Sequence, residues 1–261
     1  MKTQLALAFV TLGLAACSQN EQSNEAPGEG EKLVLASIDA HGGIKKWREN
    51  GQLQFRWKYF MTDKDKIIDS VQTVDPNTLA VTHSVPESDV RFGMIDGTAW
   101  IHPADAEFAS PPRFWALTPT YFIGIPFVFA DESCEFELLS EPKEFEGKAY
   151  TQVKVTYGED AGDSPDDYYV LLIDPETKVT RGAYYIVTHP LVAKNGPGPE
   201  KLITLDGLTD VGGTMLASGH TTYKMEDGKI LDQMRRTEVS GVKWLPAGEV
   251  DLSIPEGAKE L

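Results

Sequence analysis

The chain has 261 residues, a formal net charge of -16 and an aromatic content of 10%. This length fits one large domain after short N-terminal segments. A surface this acidic repels phosphate backbones and anionic headgroups, which excludes nucleic acid as a partner and leaves membrane attachment to something other than surface charge.

The first predicted element is a short apolar run, Leu5–Ala16, that follows Lys2 and ends at Cys17. It is shorter than the roughly 20 apolar residues that a bilayer span needs, and its order is typical of a secretory signal. Leu14–Cys17 resembles the lipobox of bacterial lipoproteins. That resemblance implies a signal peptide over residues 1–16 and lipid attachment at Cys17. An ordinary signal peptide with an incidental cysteine is the alternative.

Ser18 follows the cysteine, and a residue other than Asp at that place resembles the default signal for the outer membrane. We therefore expect a lipid-anchored protein on the periplasmic face of the outer membrane of a Gram-negative bacterium. Residues 17–30 are rich in Asn, Gln, Glu, Gly and Pro and bury little, which predicts a flexible tether after the lipidated cysteine. A single domain then covers residues 31–261. We expect it to be a monomer.

The domain opens with a helix over Glu31–Ala40 that stops at Gly42, followed by a short helical turn that includes Trp47. The pattern then changes to a period of two, which predicts a strand with one strongly aromatic face. The residues on that face are Leu53, Phe55, Trp57, Tyr59 and Met61.

Further strands follow at short intervals bounded by turn residues, which indicates an antiparallel meander. They are predicted at Ile67–Val74, Leu79–Ser84, Val90–Asp96, Thr98–His102, Cys134–Leu139, Thr151–Tyr157, Tyr168–Ile173, Ala183–Thr188, Ile203–Val211, Met215–Lys224 and Lys229–Val239. Asp96-Gly97 and Asp227-Gly228 predict tight hairpin turns. The fold class is mainly β with a few helices, built on a large curved sheet.

Cys134 alternates with glutamates, which favours a buried structural thiol.

One connecting segment, Phe114–Ala130, is unusually apolar and is called the lid segment below. Pro119 and Pro126 exclude a central strand and limit any helix to about two turns. An apolar connection of this kind needs cover. We expect it to pack over the concave face of the sheet, and insertion into a membrane is the rival interpretation.

Two hairpins carry a family resemblance. Phe92–Asp105 resembles the strand, Asp-Gly turn and Trp strand of the lipoprotein carrier and receptor proteins LolA and LolB, and Tyr168–Thr188 is similar to a late hairpin of that superfamily. The resemblance implies an open half-barrel with an early α-helix and short helices as a lid. It also implies a hydrophobic ligand, either a lipid or a lipoprotein acyl chain. Asp75 stands where the carrier has a functional arginine, which argues against the general carrier role.

The half-barrel interpretation predicts a cavity lined by aromatic side chains, which suit an acyl chain. The candidates are Phe55, Trp57, Trp100, Trp115, Phe122, Phe127 and Phe129. We expect Phe55, Trp57 and Trp100 to point together toward the concave side. Plain core packing is the alternative for each ring.

The sequence has no G-x-S-x-G, H-E-x-x-H, P-loop or C-x-x-C motif, and we therefore expect a binding protein without enzymatic activity or cofactor. The alternative is a hydrolase or metal-binding protein in which His102, His189 and His220 converge with acidic residues. His41 precedes the double glycine, where a cation or a ring that caps a carbonyl would suit a helix end. The acidic stretch Glu159–Asp167 lacks calcium-loop spacing, which favours a solvated hairpin connection.

Overall fold

A computed structural model describes residues 26–62, 64–158 and 163–261. The predicted signal peptide and Cys17 lie outside these residues. Helix α1 covers Glu29–Ala40. It begins two residues earlier than predicted and ends at the predicted residue, so the predicted tether is shortened to end before Glu29. The helix stops where predicted, because Gly42 has a φ of +115° and a Cβ there would lie 2.0 Å from the Gly213 carbonyl oxygen. Helix α2 follows at Ile44–Glu49 and buries Trp47.

Fifteen strands form within the described residues. They are β1 Gln52–Met61, β2 Lys66–Val74, β3 Val81–Ser84, β4 Arg91–Ile95, β5 Thr98–His102, β6 Cys134–Leu138, β7 Lys143–Phe145, β8 Lys148–Tyr157, β9 Tyr169–Ile173, β10 Thr180–Tyr185, β11 Lys201–Thr204, β12 Asp206–Val211, β13 Thr214–Glu226, β14 Lys229–Leu245 and β15 Lys259–Glu260.

All strand pairs in this sheet are antiparallel, and the order along it is β15-β5-β4-β3-β2-β1-β14-β13-β11-β10-β9-β8-β6. Two short strands lie off this path, since β12 pairs with β13 and β7 pairs with β8. The sheet is open, because β15 and β6 are its two edges. The predicted Asp-Gly hairpin turns are present, with positive φ at Asp96, Gly97, Asp227 and Gly228.

Two of the differences between the predicted strands and the structure have a local cause. The predicted strand Ile203–Val211 is split into β11 and β12, because the Leu205 amide donates to the Arg181 carbonyl and Gly207 has a positive φ. Strand β10 ends at Tyr185, three residues earlier than predicted. The Thr188 amide there donates to the Asp167 carboxylate instead of a neighbouring strand, at 2.6 Å.

Both faces of the sheet carry buried side chains. The main core lies on the face that carries Leu53, Phe55 and Trp57, which we call the inner face, and α1, α2 and the lid segment contribute to the same core. A smaller core lies on the outer face around Leu172, Tyr184 and Leu202. Each large apolar side chain buried in this way contributes about 1.5–3 kcal/mol to folding.

The lid segment folds into short pieces, as its prolines predict. Just before and within it lie α3 at Pro112–Trp115, α4 at Thr118–Ile123 and a 3₁₀ turn at Phe127–Phe129. Pro112 and Pro119 stand in the first turns of α3 and α4, where a missing amide proton is harmless. Within the residues that the structure describes, no helix combines the length and the apolar character needed to cross a membrane.

Candidate functional site

A cavity of about 1190 Å³ lies between the inner face of the sheet and the lid segment. Strands β1, β9 and β10 contribute Trp57, Tyr59, Tyr169 and Tyr185 to one wall. The lid segment contributes aromatic side chains to the opposite wall, which are Phe114, Trp115, Tyr121, Phe122 and Phe127. Aromatic side chains from distant parts of the chain therefore face each other across the cavity.

The lid segment touches the sheet through ring contacts inside this cavity. Phe122 lies between Trp57, with ring centroids 6.4 Å apart, and Tyr185, at 5.1 Å. Trp115 packs edge-on against Tyr59 at 5.4 Å. Aromatic pairs in this distance range are favourable beyond the area that they bury. Side chains of the lid segment thus bridge the two walls of the cavity.

Phe127 anchors the lid segment to α2, because its ring stacks on Trp47 with ring centroids 4.8 Å apart and an interplanar angle of 2°. Gly124 of the lid segment also approaches Trp47 closely. A Cβ on this glycine would lie 3.3 Å from the Trp47 ring and 2.8 Å from the Thr120 carbonyl oxygen. A side chain at position 124 would therefore clash first within the lid segment, with the Thr120 carbonyl and with the Val128 side chain at 2.7 Å, and would also crowd Trp47.

Four of the seven predicted cavity residues line the cavity: Trp57, Trp115, Phe122 and Phe127. Phe55 and Phe129 are buried in the same core but are not among the lining residues. Phe55 packs edge-on against Trp57 at 6.3 Å, and Phe129 contacts Tyr169 at 5.2 Å. Phe55 and Phe129 therefore pack against residues that line the cavity without lining it themselves.

The prediction that Trp100 shares the inner face with Phe55 and Trp57 is wrong. Ala99 and Ile101 belong to the inner core, so the alternation along β5 places Trp100 on the outer face. Trp100 pairs there with Gly93 of β4, and a Cβ on Gly93 would lie 2.8 Å from the indole ring. The ring occupies space that the glycine leaves free.

Charged residues also line the cavity. Lys201 on β11 and Arg235 on β14 both project from the inner face, and Arg235 is only 7% exposed. Burial lowers the pKa of Lys201, and the positive charge of Arg235 lowers it further. Asp167 lines the same region and accepts hydrogen bonds from the Thr188 amide and hydroxyl, at 2.6 and 2.8 Å.

An ion pair ties the start of α3 to the acidic connection between β8 and β9. Arg113 donates two hydrogen bonds to Asp163, at 2.7 and 2.9 Å, and the Arg113 guanidinium holds the pKa of that carboxyl below its usual range. His189 Nε2 lies 3.4 Å from Asp163, and the His189 ring packs against Phe114 at 5.3 Å. This part of the acidic stretch therefore holds the lid segment, while residues 159–162 lie outside the described part.

The histidines do not form the metal site of the alternative interpretation. His220 is buried over Trp57, with ring centroids 5.0 Å apart, and its Nδ1 contacts the Thr204 carbonyl at 2.9 Å. His189 lies instead at the lid ion pair. Across residues 26–62, 64–158 and 163–261, no group of three His, Cys, Asp or Glu side chains is placed to hold a metal ion.

Two other predicted side chains are structural. His41 is not a helix-end cation, because its Nε2 accepts a hydrogen bond from the Thr180 amide at 3.1 Å and burial lowers its pKa. Its Nδ1 faces the Met215 carbonyl at 3.2 Å, which ties α1 to β13. Cys134 is partly buried, and burial raises the pKa of its thiol to about 12. The thiol therefore stays protonated.

Sequence reasoning missed Lys201, Arg235 and the tyrosines of β9 and β10 as cavity residues. Arg235, Thr237 and Val239 alternate on β14, and all three are buried on one face. A cation at a position that alternates with buried residues of the same strand was the sequence pattern that could have identified Arg235. Lys201 begins β11 and gave no comparable pattern.

Comparison with solved structures identifies this arrangement. A LolA superfamily protein from Nitrosomonas europaea superposes with a TM-score of 0.54 at 9% sequence identity, over 84% of this chain and 95% of that one. The chain has a LolA-like fold. The predicted open half-barrel is thereby confirmed, with an early α-helix and short lid helices.

Two more distant structures also resemble the chain. A putative outer membrane lipoprotein-sorting protein domain from Vibrio parahaemolyticus gives a TM-score of 0.42 at 13% identity, over 85% of this chain and 95% of that one. A DUF1329 family protein from Desulfovibrio piger gives 0.43 at 10% identity, over 82% and 92%. No protein-family model and no curated protein matches the sequence.

Proposed function

We propose that this protein is a membrane-anchored periplasmic lipoprotein that binds a hydrophobic ligand, a lipid or a lipoprotein acyl chain, inside the half-barrel, without catalysis. The observation that carries the proposal is the cavity of about 1190 Å³ between the sheet and the lid segment, with its aromatic lining. Apolar pockets of roughly 300–1,000 Å³ typically hold drug-sized ligands, so a cavity slightly larger than this range has room for an acyl chain.

The contacts of the lid segment support the same role. Phe122 and Phe127 fill part of the cavity by packing on Trp57 and Trp47. A ligand that displaces these rings can restore the buried apolar area that they lose. Replacing contacts of the lid rings by contacts with a ligand acyl chain then costs little net free energy, and reversible binding requires such a small cost.

The first expected result concerns the ligand itself. A chain from Ser18 to Leu261 contains the whole described fold and is expected to copurify with a lipid when it is prepared without detergent. Native mass spectrometry should show a bound species that organic solvent extracts. Delipidated protein should then take up a fluorescent fatty acid. Protein that carries no lipid and takes up none would contradict the binding proposal.

The second expected result concerns the anchor and rests on the apolar run that ends at Cys17. Cys17→Ala is expected to move the protein from the membrane fraction to the soluble fraction, because a multiply acylated cysteine anchors stably while the acidic surface does not. Cys134→Ala, which keeps Cys17, is the matched control and should stay membrane-bound. A Cys17→Ala protein that resists high-salt extraction would show that the anchor lies elsewhere.

A further inference from the structure

Two tryptophans of the cavity have buried indole N–H groups that find no hydrogen-bond acceptor among the described residues. Trp57 on β1 is 1% exposed, Trp115 at the end of α3 is 5% exposed, and both line the cavity. The Nε1 atoms of both rings are enclosed without a partner. A buried indole N–H usually finds an acceptor, so these two groups need an explanation.

The cost of such a group comes from the loss of water. An indole N–H only donates, so burial without an acceptor takes away its hydrogen bond to water and puts nothing in its place. Burial alone does not point to a ligand, because the Nε1 of Trp100 is also unpartnered and this ring lies on the outer face, away from the cavity. Trp57 and Trp115 differ from Trp100 because they line the space that a ligand would enter.

The two indoles belong to the same part of the interface between β1 and the lid segment. Trp57 and Tyr59 are two residues apart on the inner face of β1, and Trp115 packs edge-on against Tyr59 with ring centroids 5.4 Å apart. Phe122 of the lid segment stacks on Trp57 with ring centroids 6.4 Å apart and an interplanar angle of 12°. A ligand that lies along this interface therefore passes both indoles.

The surroundings of Trp57 favour an uncharged acceptor. The rings in contact with it are Phe55, Phe122 and His220. Burial lowers the pKa of His220 to about 4, so this ring carries no charge at neutral pH. A carboxylate placed among these rings would lose its hydration without gaining a cation from them, whereas an uncharged carbonyl loses much less hydration free energy.

An acyl lipid carries an uncharged acceptor at a fixed place. The carbonyl of its ester or amide linkage joins the apolar chain to the rest of the molecule, and the carbonyl oxygen only accepts hydrogen bonds. A chain that enters between β1 and the lid segment has to separate Phe122 from Trp57, because their stacked rings close that space. This separation gives a linkage carbonyl access to the indole N–H groups.

We propose that Trp57 and Trp115 determine ligand specificity, because their indole N–H groups donate hydrogen bonds to the ester or amide carbonyl of an acyl lipid. The proposal rests on the proposed ligand-binding function and specifies its ligand class. The acyl chain replaces contacts of the lid rings, and the carbonyl satisfies donors that the protein itself leaves unpaired. The cavity then distinguishes acyl lipids from ethers with the same chain.

Three uncharged ligands with the same oleyl-type chain test the proposal on delipidated protein from Ser18 to Leu261. Methyl oleate has an ester carbonyl, N-methyloleamide has an amide carbonyl, and oleyl methyl ether has no carbonyl. Displacement of a fluorescent fatty acid measures the three affinities. At least one carbonyl ligand is expected to bind about five-fold or more tightly than the ether, because the ether oxygen is the weaker acceptor. The tighter of the two identifies the linkage as an ester or an amide.

Variants then locate the donors. Phenylalanine removes the indole N–H and keeps an aromatic ring, so the double variant Trp57→Phe and Trp115→Phe is expected to bind all three ligands within about two-fold of one another. Trp100→Phe is the matched control. It removes an indole N–H that is also buried and unpartnered but does not line the cavity, and it should keep the wild-type preference.

A spectroscopic measurement tests the same hydrogen bonds in the wild-type protein. The chain has five tryptophans, so isotopic labelling of tryptophan nitrogen gives five indole N–H signals in a nuclear magnetic resonance spectrum. The tighter carbonyl ligand is expected to move a signal of Trp57 or Trp115 further to lower field than the ether does, because a carbonyl hydrogen bond deshields the proton. Trp244 is a reference, since its Nε1 already donates to the Val211 carbonyl at 3.0 Å.

The outcomes separate this proposal from the broader one. Equal binding of the carbonyl ligands and the ether by the wild-type protein overturns the carbonyl proposal and leaves hydrophobic binding intact. Failure of all three ligands to bind overturns both. A carbonyl preference that survives in the folded double variant overturns the assignment to Trp57 and Trp115. If the double variant fails to fold, wild-type signals of Trp57 and Trp115 that respond equally to the carbonyl ligand and the ether overturn the assignment instead.

Discussion

Replacing Phe127 by alanine is expected to destabilise the protein by about 3–5 kcal/mol and to increase its uptake of a fluorescent fatty acid. The ring is 2% exposed, stacks on Trp47 and lines the cavity, so its removal takes away core packing and enlarges the ligand space at once. Typical domains have 5–15 kcal/mol of stability, so the variant should remain folded at 25 °C. Urea unfolding and fluorescence titration measure the two effects.

Phe129→Ala is the matched control for this prediction. Phe129 is 1% exposed and belongs to the same 3₁₀ turn, but it packs on Tyr169 and does not line the cavity. It should lose a similar amount of stability without a gain in uptake. If Phe127→Ala also loses stability with no change in uptake, the lid segment is ordinary core. Weaker liposome binding by a non-lipidated chain would instead favour membrane insertion of the segment.

Much of the fold could be predicted because its signals are local. Alternation from Leu53 to Met61 predicts both strand β1 and its buried face, and all five residues on that face belong to the inner core or pack against it. The Asp-Gly pairs predict hairpin turns because both residues adopt positive φ. Prolines predict that the lid segment is broken into short helices. None of these inferences depends on distant residues.

The orientation of Trp100 could not be predicted in the same way. Strand β5 has five residues, and Ala99, Trp100 and Ile101 are all buried, so its own pattern does not identify the inner face. That choice is made by pairing with β4, where Gly93 provides room, and with β15. Glycine inside a strand was the available signal, since it often marks close approach by another group.

The cavity lining was predictable only in part, because it depends on the depth at which each lid ring packs. Phe127 and Phe129 are two residues apart and equally apolar, yet only Phe127 lines the cavity. Lys201 and Arg235 become neighbours through β13, and that neighbourhood follows from the strand order. The sequence indicates which segments carry apolar rings. Long-range pairing decides what those rings enclose.

The protein is expected to lose stability as the pH falls from about 6.5 to 4, before most carboxylates titrate. Burial lowers the pKa of His83 and of His220 to about 4, from an ordinary value of 6.5. The unfolded chain therefore binds protons first as the pH falls, which favours unfolding. Each pKa unit is worth on the order of 1 kcal/mol, so two such rings together cost several kcal/mol by pH 4.

His83→Gln isolates one of these contributions. His83 Nε2 donates to the Ala116 carbonyl at 2.9 Å and Nδ1 faces the Ser70 hydroxyl at 3.1 Å, and a glutamine amide offers a donor and an acceptor of the same kind without a titrating group. Urea unfolding of this variant should show a smaller loss of stability between pH 7 and pH 4.5 than the wild type. Ser84→Ala, at an exposed position of the same strand, should follow the wild-type profile. Burial raises the pKa of Asp167, so protonation of this carboxyl favours the folded state as the pH falls and opposes the effect of the histidines. Wild-type stability that stays flat between pH 7 and pH 4.5 would mean that the histidines do not set the acid response.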